Sequence, residues 1–140
     1  MCQRLEAAYD EQGFALGVQV FAARELQVDP YYLLGVLNSK LLSYLFRERF
    51  AAKRLAGGYL AINKGQLAQL PIPLPCPASK TIVSKVARLA KQLQRNFSRE
   101  VDEQIDELVY SLCHVTADER PRIERSFVEP SNRVSVRRAA

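Results

Sequence analysis

Leu70-Pro71-Ile72-Pro73-Leu74-Pro75 divides this chain into two parts, and a further proline follows at Pro77. Each proline fixes its own φ and drives the residue before it toward extended conformations. Prolines at every second position therefore predict a stiff, extended strap with few backbone donors, which cannot be a central strand. We expect this strap to lead rigidly out of one packed unit and into another.

The residues after the strap predict a long amphipathic helix with a basic face. From Lys80 to Arg99 there are six Lys or Arg and no acid. Ser98, followed by several acids, could instead begin a second helix. One bent helix and a helical hairpin both fit, and the bent helix is the favoured interpretation. Apolar residues recur at alternating steps near four and three, which is typical of a coiled-coil seam: Ile82, Val86, Leu89, Leu93, Phe97, Val101, Ile105, Leu108 and Leu112.

The residues before the strap predict an α/β (α+β) fold, with a small partial β-sheet and packed helices. Runs 3–9 and 14–22 flank a polar turn, which is typical of a β-hairpin, and residues 59–62 are a further strand candidate. Asp29-Pro30 predicts the start of a helix, since Asp caps free amides and Pro fits the first helical position. Apolar residues then follow at helical spacing through about Phe50.

The predicted organisation has three parts. Residues 1–76 form a first unit, residues 77–128 form C-terminal helices, and residues 129–140 are a basic tail that we expect to be disordered. In the second part, Thr116 and Glu119 have capping-box spacing for a last helix, although Pro121 requires its start to be tight or delayed.

Composition excludes several classes of protein. The 140 residues allow one domain with a sizeable core, and no apolar run reaches membrane-spanning length. The N-terminus lacks the order of a signal peptide. The three cysteines have neither CxxC nor Cys/His spacing, which indicates reduced thiols. We therefore expect a cytoplasmic protein with no membrane partner.

The charge pattern favours a polyanionic partner. The net charge is +5, and basic clusters alternate with an acidic segment at residues 100–107. For any single cluster, a solvated helix face remains an alternative. The cluster before the glycine pair contains five cations against Glu48: Lys40, Arg47, Arg49, Lys53 and Arg54.

That cluster supplies the candidate DNA contacts. Lys53, Arg54 and Lys64 are the first candidates for phosphate contacts, since Lys and Arg neutralise phosphates and glycines let a loop approach a backbone. Arg47 and Arg49 come next. The groove candidates are Tyr59, which could pack on a sugar or base, and Gln66.

No motif for catalysis is recognisable in the sequence. Asp29-Pro30-Tyr31-Tyr32 is similar to the loop that amino-methyltransferases use to hold a target amine, but the second proline and a glycine-rich cofactor loop are missing. A helix cap is the better interpretation. We expect no catalytic residue, no metal site and no cofactor in this chain.

Three segments carry a resemblance to a known family. Tyr32–Leu42 (YLLGVLNSKLL), Ile62–Pro73 (INKGQLAQLPIP) and Ile105–Leu112 (IDELVYSL), with Thr116–Glu119 after it, occur in that order. The chain resembles the TaqI-like C-terminal target-recognition domains of adenine-specific type IIG restriction-modification methyltransferases. The Leu-Pro-Ile-Pro piece alone is weak, because type I specificity subunits share it.

The resemblance implies a domain that reads double-stranded DNA for a separate methyltransferase or endonuclease domain, in cis or in trans. S-adenosylmethionine would bind in that catalytic domain, which we expect upstream, and this chain would begin inside the recognition domain. His114 departs from the family pattern, where a glycine ends the helix. Two alternatives stay open: half of a type I specificity subunit, and a coiled-coil interaction module that does not bind DNA.

Overall fold

The computed structural model describes residues 4–13, 17, 20–51 and 61–127, and these residues build a helical fold. Within these ranges there are six α-helices, and a short 3₁₀ turn at Pro77–Ser79 precedes the fourth. The helices are α1 (Pro30–Leu37), α2 (Lys40–Arg49), α3 (Lys64–Leu67), α4 (Lys80–Arg95), α5 (Arg99–Leu112) and α6 (Arg120–Arg125).

The helix predicted from Asp29 is two helices separated by one short break. The Asp29 carboxylate accepts a hydrogen bond from the Tyr32 amide at 2.9 Å, so the predicted cap of α1 is confirmed. The chain then leaves the helix at Asn38, and the Ser39 hydroxyl caps α2 by accepting from the Leu42 amide at 3.3 Å. Ser39 thus starts a new helix within the apolar pattern that the sequence shows from Asp29 to Phe50. The chain can turn there while the apolar faces of α1 and α2 both stay buried.

Helices α4 and α5 form a helical hairpin, so the bent-helix interpretation was wrong and its alternative was right. Asn96 takes an extended conformation, and Ser98 caps α5 by accepting from the Val101 amide. The two helices pack against each other. Phe97 lies at the tip of this hairpin, where it is 74% exposed. Much of the apolar seam therefore packs within the chain, where Val86, Leu89 and Ile105 are buried.

The core joins residues from both sides of the proline strap. Helix α4 packs on α1 as well as on α5, and Gly35 of α1 lies so close that a Cβ there would stand 2.6 Å from a methyl of Val86. Buried residues before the strap include Tyr32, Val36 and Phe46, and those after it include Val86 and Val109. One core therefore crosses the predicted boundary at residue 76.

The predicted partial β-sheet was wrong. Residues 4–13, 17, 20–51 and 61–127 contain no strand, and the part of the predicted hairpin that the structure describes lies outside any sheet. Residues 52–60, which hold half of the other strand candidate, are outside the described residues, as are residues 128–140 with the predicted tail.

Side-chain amides take the place of a neighbouring strand beside residues 5–9. The Asn38 amide accepts from the Ala7 N–H at 2.7 Å and donates to the Ala7 carbonyl at 3.0 Å. Gln94 makes the same pair of bonds with Tyr9, at 2.7 and 2.9 Å. Backbone N–H and C=O groups outside helices and sheets need other hydrogen-bond partners. Here Asn38, at the end of α1, and Gln94, in α4, provide them. The strand predicted at residues 3–9 was therefore wrong in its described part, where side-chain amides rather than a second strand bond the backbone.

Residues 70–76 of the strap form neither helix nor strand, and Cys76 at its end is extended. Tyr32 anchors it, because its buried hydroxyl donates to the Pro73 carbonyl at 2.6 Å. Burial raises the pKa of Tyr32 to about 12, so this phenol stays protonated and remains a donor.

The predicted capping box at Thr116 and Glu119 forms in the turn before α6, whose own N-cap residue, Glu119, makes no side-chain cap bond. Thr116 and Glu119 make reciprocal bonds, with the Thr116 amide donating to the carboxylate at 2.8 Å and the Glu119 amide donating to the hydroxyl at 3.4 Å. Helix α6 nevertheless begins only at Arg120, next to Pro121. The delayed start predicted from Pro121 is therefore confirmed. Within the described ranges, no helix combines the length and apolar character needed to cross a bilayer.

Candidate nucleic-acid interface

The structure describes four of the seven predicted DNA-contact residues. Lys53, Arg54 and Tyr59 fall in the segment outside the described residues. Arg49, the last residue of α2, and Lys64, the first residue of α3, are both exposed. No contact within the described ranges links Arg47, Arg49 and Lys64 into one cluster.

Arg47 is partly engaged inside the fold. Its guanidinium donates to the Ser126 carbonyl at 2.7 Å and lies 5.3 Å from the centre of the Phe127 ring. These contacts hold the end of α6 against α2. The charge stays half-exposed, but a phosphate contact by Arg47 would share the group with this structural role.

Gln66 has a structural contact that the sequence analysis did not foresee. It is only 3% exposed, and its side-chain oxygen accepts from the Asn63 amide at 3.0 Å while Asn63 accepts from the Gln66 amide at 2.9 Å. This reciprocal cap begins α3. The groove contact assigned to Gln66 stays an untested prediction, and this bond would have to break or share its atoms to allow it.

Two of the three resemblance segments dock directly on each other. The break between α1 and α2 presents the Lys40 amide to α5, where the Asp106 carboxylate accepts it at 2.8 Å. Asp106 lies in the Ile105–Leu112 segment and is only 2% exposed. The carboxylate thus ties the start of α2 to α5, 66 residues later in the chain.

Cations and acids surround this docking point. Arg4 forms an ion pair with Asp102 at 2.9 Å, donates to the Asn38 carbonyl and approaches Asp106 at 3.9 Å. Lys40 bridges Glu124 at 2.9 Å and Asp106 at 3.6 Å. Burial opposes the charge of Glu124, but the hydrogen bond from Lys40 holds the pKa of that carboxyl below its usual value. The network binds the N-terminal segment, α5 and α6 together.

Asp106 is nonetheless poorly satisfied for a buried carboxylate. Its Oδ2 atom has no hydrogen-bond partner within the described part of the chain. Burial raises the pKa of Asp106 to about 6, although the Lys40 amide and the nearby Arg4 and Lys40 charges lower it in part. Arg4 and Lys40 both count toward the positive charge of the chain, but their ion pairs with these acids stabilise the fold.

A mixed-charge groove of about 780 Å³ lies between α4 and α5. Lys85 and Arg88 line one wall, and Glu103 and Glu107 line the other. Across this groove, acids of α5 therefore face Lys85 and Arg88, two residues of the predicted basic face of α4. The groove as a whole does not attract a polyanion by charge.

An apolar groove of about 530 Å³ lies between α2, the strap and the turn before α6. Tyr44, Ile72 and Val115 line it, together with Cys113 and His114. Burial raises the pKa of the Cys113 thiol, which makes this cysteine a poor nucleophile.

Two observations on the described residues concern metal binding and the loop similar to a methyltransferase motif. In residues 4–13, 17, 20–51 and 61–127, no group of three or more His, Cys, Asp or Glu side chains is placed to hold a metal ion. The Asp29-Pro30 loop is occupied as a helix cap, and Tyr31 donates its hydroxyl to Glu11.

Sequence reasoning missed the residues that hold the fold together here. Asn38, Arg4 and Asp106 act through tertiary hydrogen bonds whose partners lie from 31 to 98 positions away. For Asn38 and Asp106, the signal that could have found them was their presence inside the resemblance segments, since polar residues in a buried helical motif need partners. No such signal marked Arg4.

Comparison with known proteins gives a consistent assignment. The family model of the TaqI-like C-terminal specificity domain matches residues 1–72. The chain is also 30% identical, over 92 residues, to a protein of Methanocaldococcus jannaschii that carries the name of a type II restriction enzyme and methyltransferase. That match covers 61% of this chain and 8% of the relative, so this chain spans a small part of the relative's length. A comparison of this chain with solved structures found no match.

Proposed function

Because this chain belongs to the TaqI-like C-terminal specificity domain family, we propose that it is the DNA-reading portion of a restriction-modification methyltransferase. It binds double-stranded DNA, recognises a short sequence and positions that sequence for a methyltransferase or endonuclease domain, in cis or in trans. The family match over residues 1–72 carries this proposal. The relative's name supports it, since that protein is named for both restriction and methyl transfer.

The chemistry of the described residues supports a division of labour between this chain and a catalytic domain. They offer no metal-binding group of three or more ligands, and the one loop similar to a methyltransferase motif is closed as a helix cap. We propose that methyl transfer uses S-adenosylmethionine bound by the partner domain, and that the target base is adenine in a type IIG arrangement. We also propose that the chain works in the cytoplasm.

DNA binding is assigned first to exposed cations near the end of α2 and the start of α3. Lys64 and Arg49 are exposed and lie on either side of residues 52–60, which contain Lys53 and Arg54. Arg47 contributes from α2, and Tyr59 and Gln66 remain the groove candidates. Phosphate contacts of this kind set affinity and register, whereas base contacts set sequence preference.

Selection from a random duplex library tests sequence recognition. We expect the 140-residue chain to enrich one short sequence, with a single base change in it costing about 1–3 kcal/mol of binding energy. A chain that is folded by circular dichroism and binds the library without enriching any sequence would contradict a specificity role. A methyl-transfer assay with the selected duplex should give no product from this chain alone.

A further inference from the structure

The outer face of α4 is a continuous basic strip that the proposed contacts near α2 and α3 do not use. Helix α4 carries no acid over its 16 residues. At 100° per residue its cations fall within one arc of about 140°. They are Lys80, Lys85, Arg88, Lys91 and Arg95, and all five are exposed.

The opposite face of the helix fixes the direction of this strip. Val86, Leu89 and Ala90 are buried against α1 and α5. A helix held by one apolar face must present its other face outward, so the strip is set by packing rather than by side-chain choice. From Lys80 to Arg95 it extends for about 22 Å, which matches on the order of six phosphates along one strand of B-DNA.

Most of these cations are free of partners among the described residues. Lys80, Lys85, Arg88 and Arg95 form no ion pair there, and Lys91 lies over the Tyr31 ring at 5.1 Å. In contrast, Arg4, Lys40, Arg99 and Arg120 each pair with an acid. Charges that the fold does not use remain available to a polyanion.

One end of the strip has the composition of a phosphate-binding surface. A shallow cavity of about 450 Å³ is lined by Lys80, Thr81, Ser84, Lys85 and Arg88. These are three cations and two hydroxyls without a carboxylate, and all are side chains that commonly contact DNA phosphates. The acids of α5 limit the strip on one side, because Glu103 and Glu107 face Lys85 and Arg88 across the neighbouring groove.

We infer that the Lys80–Arg95 face of α4 is a second DNA-contacting surface, which binds the sugar-phosphate backbone flanking the recognised sequence. This inference rests on the proposed function. The contacts are electrostatic and independent of sequence, since the strip offers charges and hydroxyls rather than the paired amides that distinguish bases. They add affinity and fix the orientation of the duplex without adding specificity.

Neutralising one end of the strip tests the inference. The variant Lys80→Gln/Lys85→Gln/Arg88→Gln is compared with the wild-type chain by fluorescence anisotropy on a mixed-sequence duplex of about 30 bp, across salt concentrations from about 0.05 to 0.3 M. We expect the slope of log affinity against log salt to fall by about two to three units, with affinity near 0.1 M salt falling about ten- to hundredfold.

A matched variant separates this surface from net charge. The control variant Arg24→Gln/Arg122→Gln/Arg125→Gln also removes three positive charges, but from exposed positions outside α4. Equal losses in both variants, or an unchanged slope in the α4 variant, would overturn the inference and leave the proposed function intact. A folded wild-type chain that binds no duplex would overturn both. Thermal melting of each variant confirms that the fold is retained.

Discussion

His114 occupies the position where α5 ends in a left-handed conformation, with φ of 55°. The Val115 amide donates to the Tyr110 carbonyl at 2.9 Å, and the His114 amide donates to the Ser111 carbonyl at 3.2 Å. These two bonds define a Schellman motif, which usually places glycine at this position. The departure noted from the sequence is therefore a real strain, because a side chain in this region costs about 1–2 kcal/mol.

We expect His114→Gly to stabilise the chain. Removing the Cβ relieves the left-handed strain, while the freer unfolded backbone offsets part of the gain, so the net increase should be about 0.5–1 kcal/mol. Thermal unfolding should show a melting temperature higher by a few degrees. Lowered stability would mean that the His114 side chain makes a contact worth more than the strain.

Asp106 makes stability depend on pH in an unusual direction. Its pKa is raised from 3.8 to about 6, chiefly by burial, so the folded state binds the proton more tightly than the unfolded state does. The contribution of this group is full below about pH 4 and is lost as pH rises through about 6. Most buried carboxylates held by ion pairs behave in the opposite way.

We expect Asp106→Asn to remove this dependence. The amide oxygen can still accept from the Lys40 N–H, and it carries no charge to desolvate. The free energy of unfolding of the variant, relative to the wild-type chain, should therefore rise between about pH 4 and pH 7 by up to about 3 kcal/mol. Denaturant unfolding at each pH measures it, with the exposed Asp118→Asn as control. Parallel pH profiles would contradict the burial argument.

At the scale of elements, the segment of residues 5–9 shows why sequence patterning did not identify the partner of its backbone. The apolar-rich run that includes Leu5, Ala7 and Tyr9 looks the same in sequence whether its neighbour is a strand or a pair of side-chain amides. The partners, Asn38 and Gln94, lie in helical regions 31 and 85 residues away. No local pattern indicates such a pairing.

The two amides should differ in what they contribute. Asn38 is half-buried and makes both of its bonds away from bulk solvent, whereas Gln94 and Tyr9 meet at an exposed site. We expect Asn38→Ala to cost about 2 kcal/mol and Gln94→Ala less than about 1 kcal/mol in urea unfolding. An equal loss of unfolding free energy in the two variants would show that burial does not determine how much these hydrogen bonds stabilise the fold.

Local chemistry determined the helix ends, and the sequence predicted several of them. Asp29 and Ser98 cap α1 and α5 as their residue types suggest, and Pro121 delays α6. The choice between a bent helix and a hairpin could not be made from periodicity. Both keep the same apolar steps, and the decision rests on the packing of α4 against α1 and α5.

At the scale of the whole molecule, the three resemblance segments converge on one core. Tyr32 anchors the strap at Pro73, and Asp106 holds the start of α2 at Lys40. The family pattern is thus a set of docking contacts that brings the strap and the last helices onto α1 and α2. Such contacts explain why segments far apart in sequence occur together.

The candidate site was less predictable than the family. Charge counting treats all cations alike, yet Arg4, Lys40 and Arg47 are engaged within the fold, whereas the α4 cations face outward. Which cations remain available depends on tertiary contacts, and sequence alone cannot sort them. The phosphate assignments of Lys53, Arg54 and Lys64 stay predictions.

The central claim is that cations of this chain bind double-stranded DNA. The salt dependence of duplex binding tests this claim most directly. Anisotropy titrations of a duplex of about 30 bp should show log affinity falling linearly with log salt, and Lys53→Ala/Arg54→Ala should reduce that slope by about two units. Absence of binding by the folded chain near 0.05 M salt, or an unchanged slope in the double variant, would contradict the account.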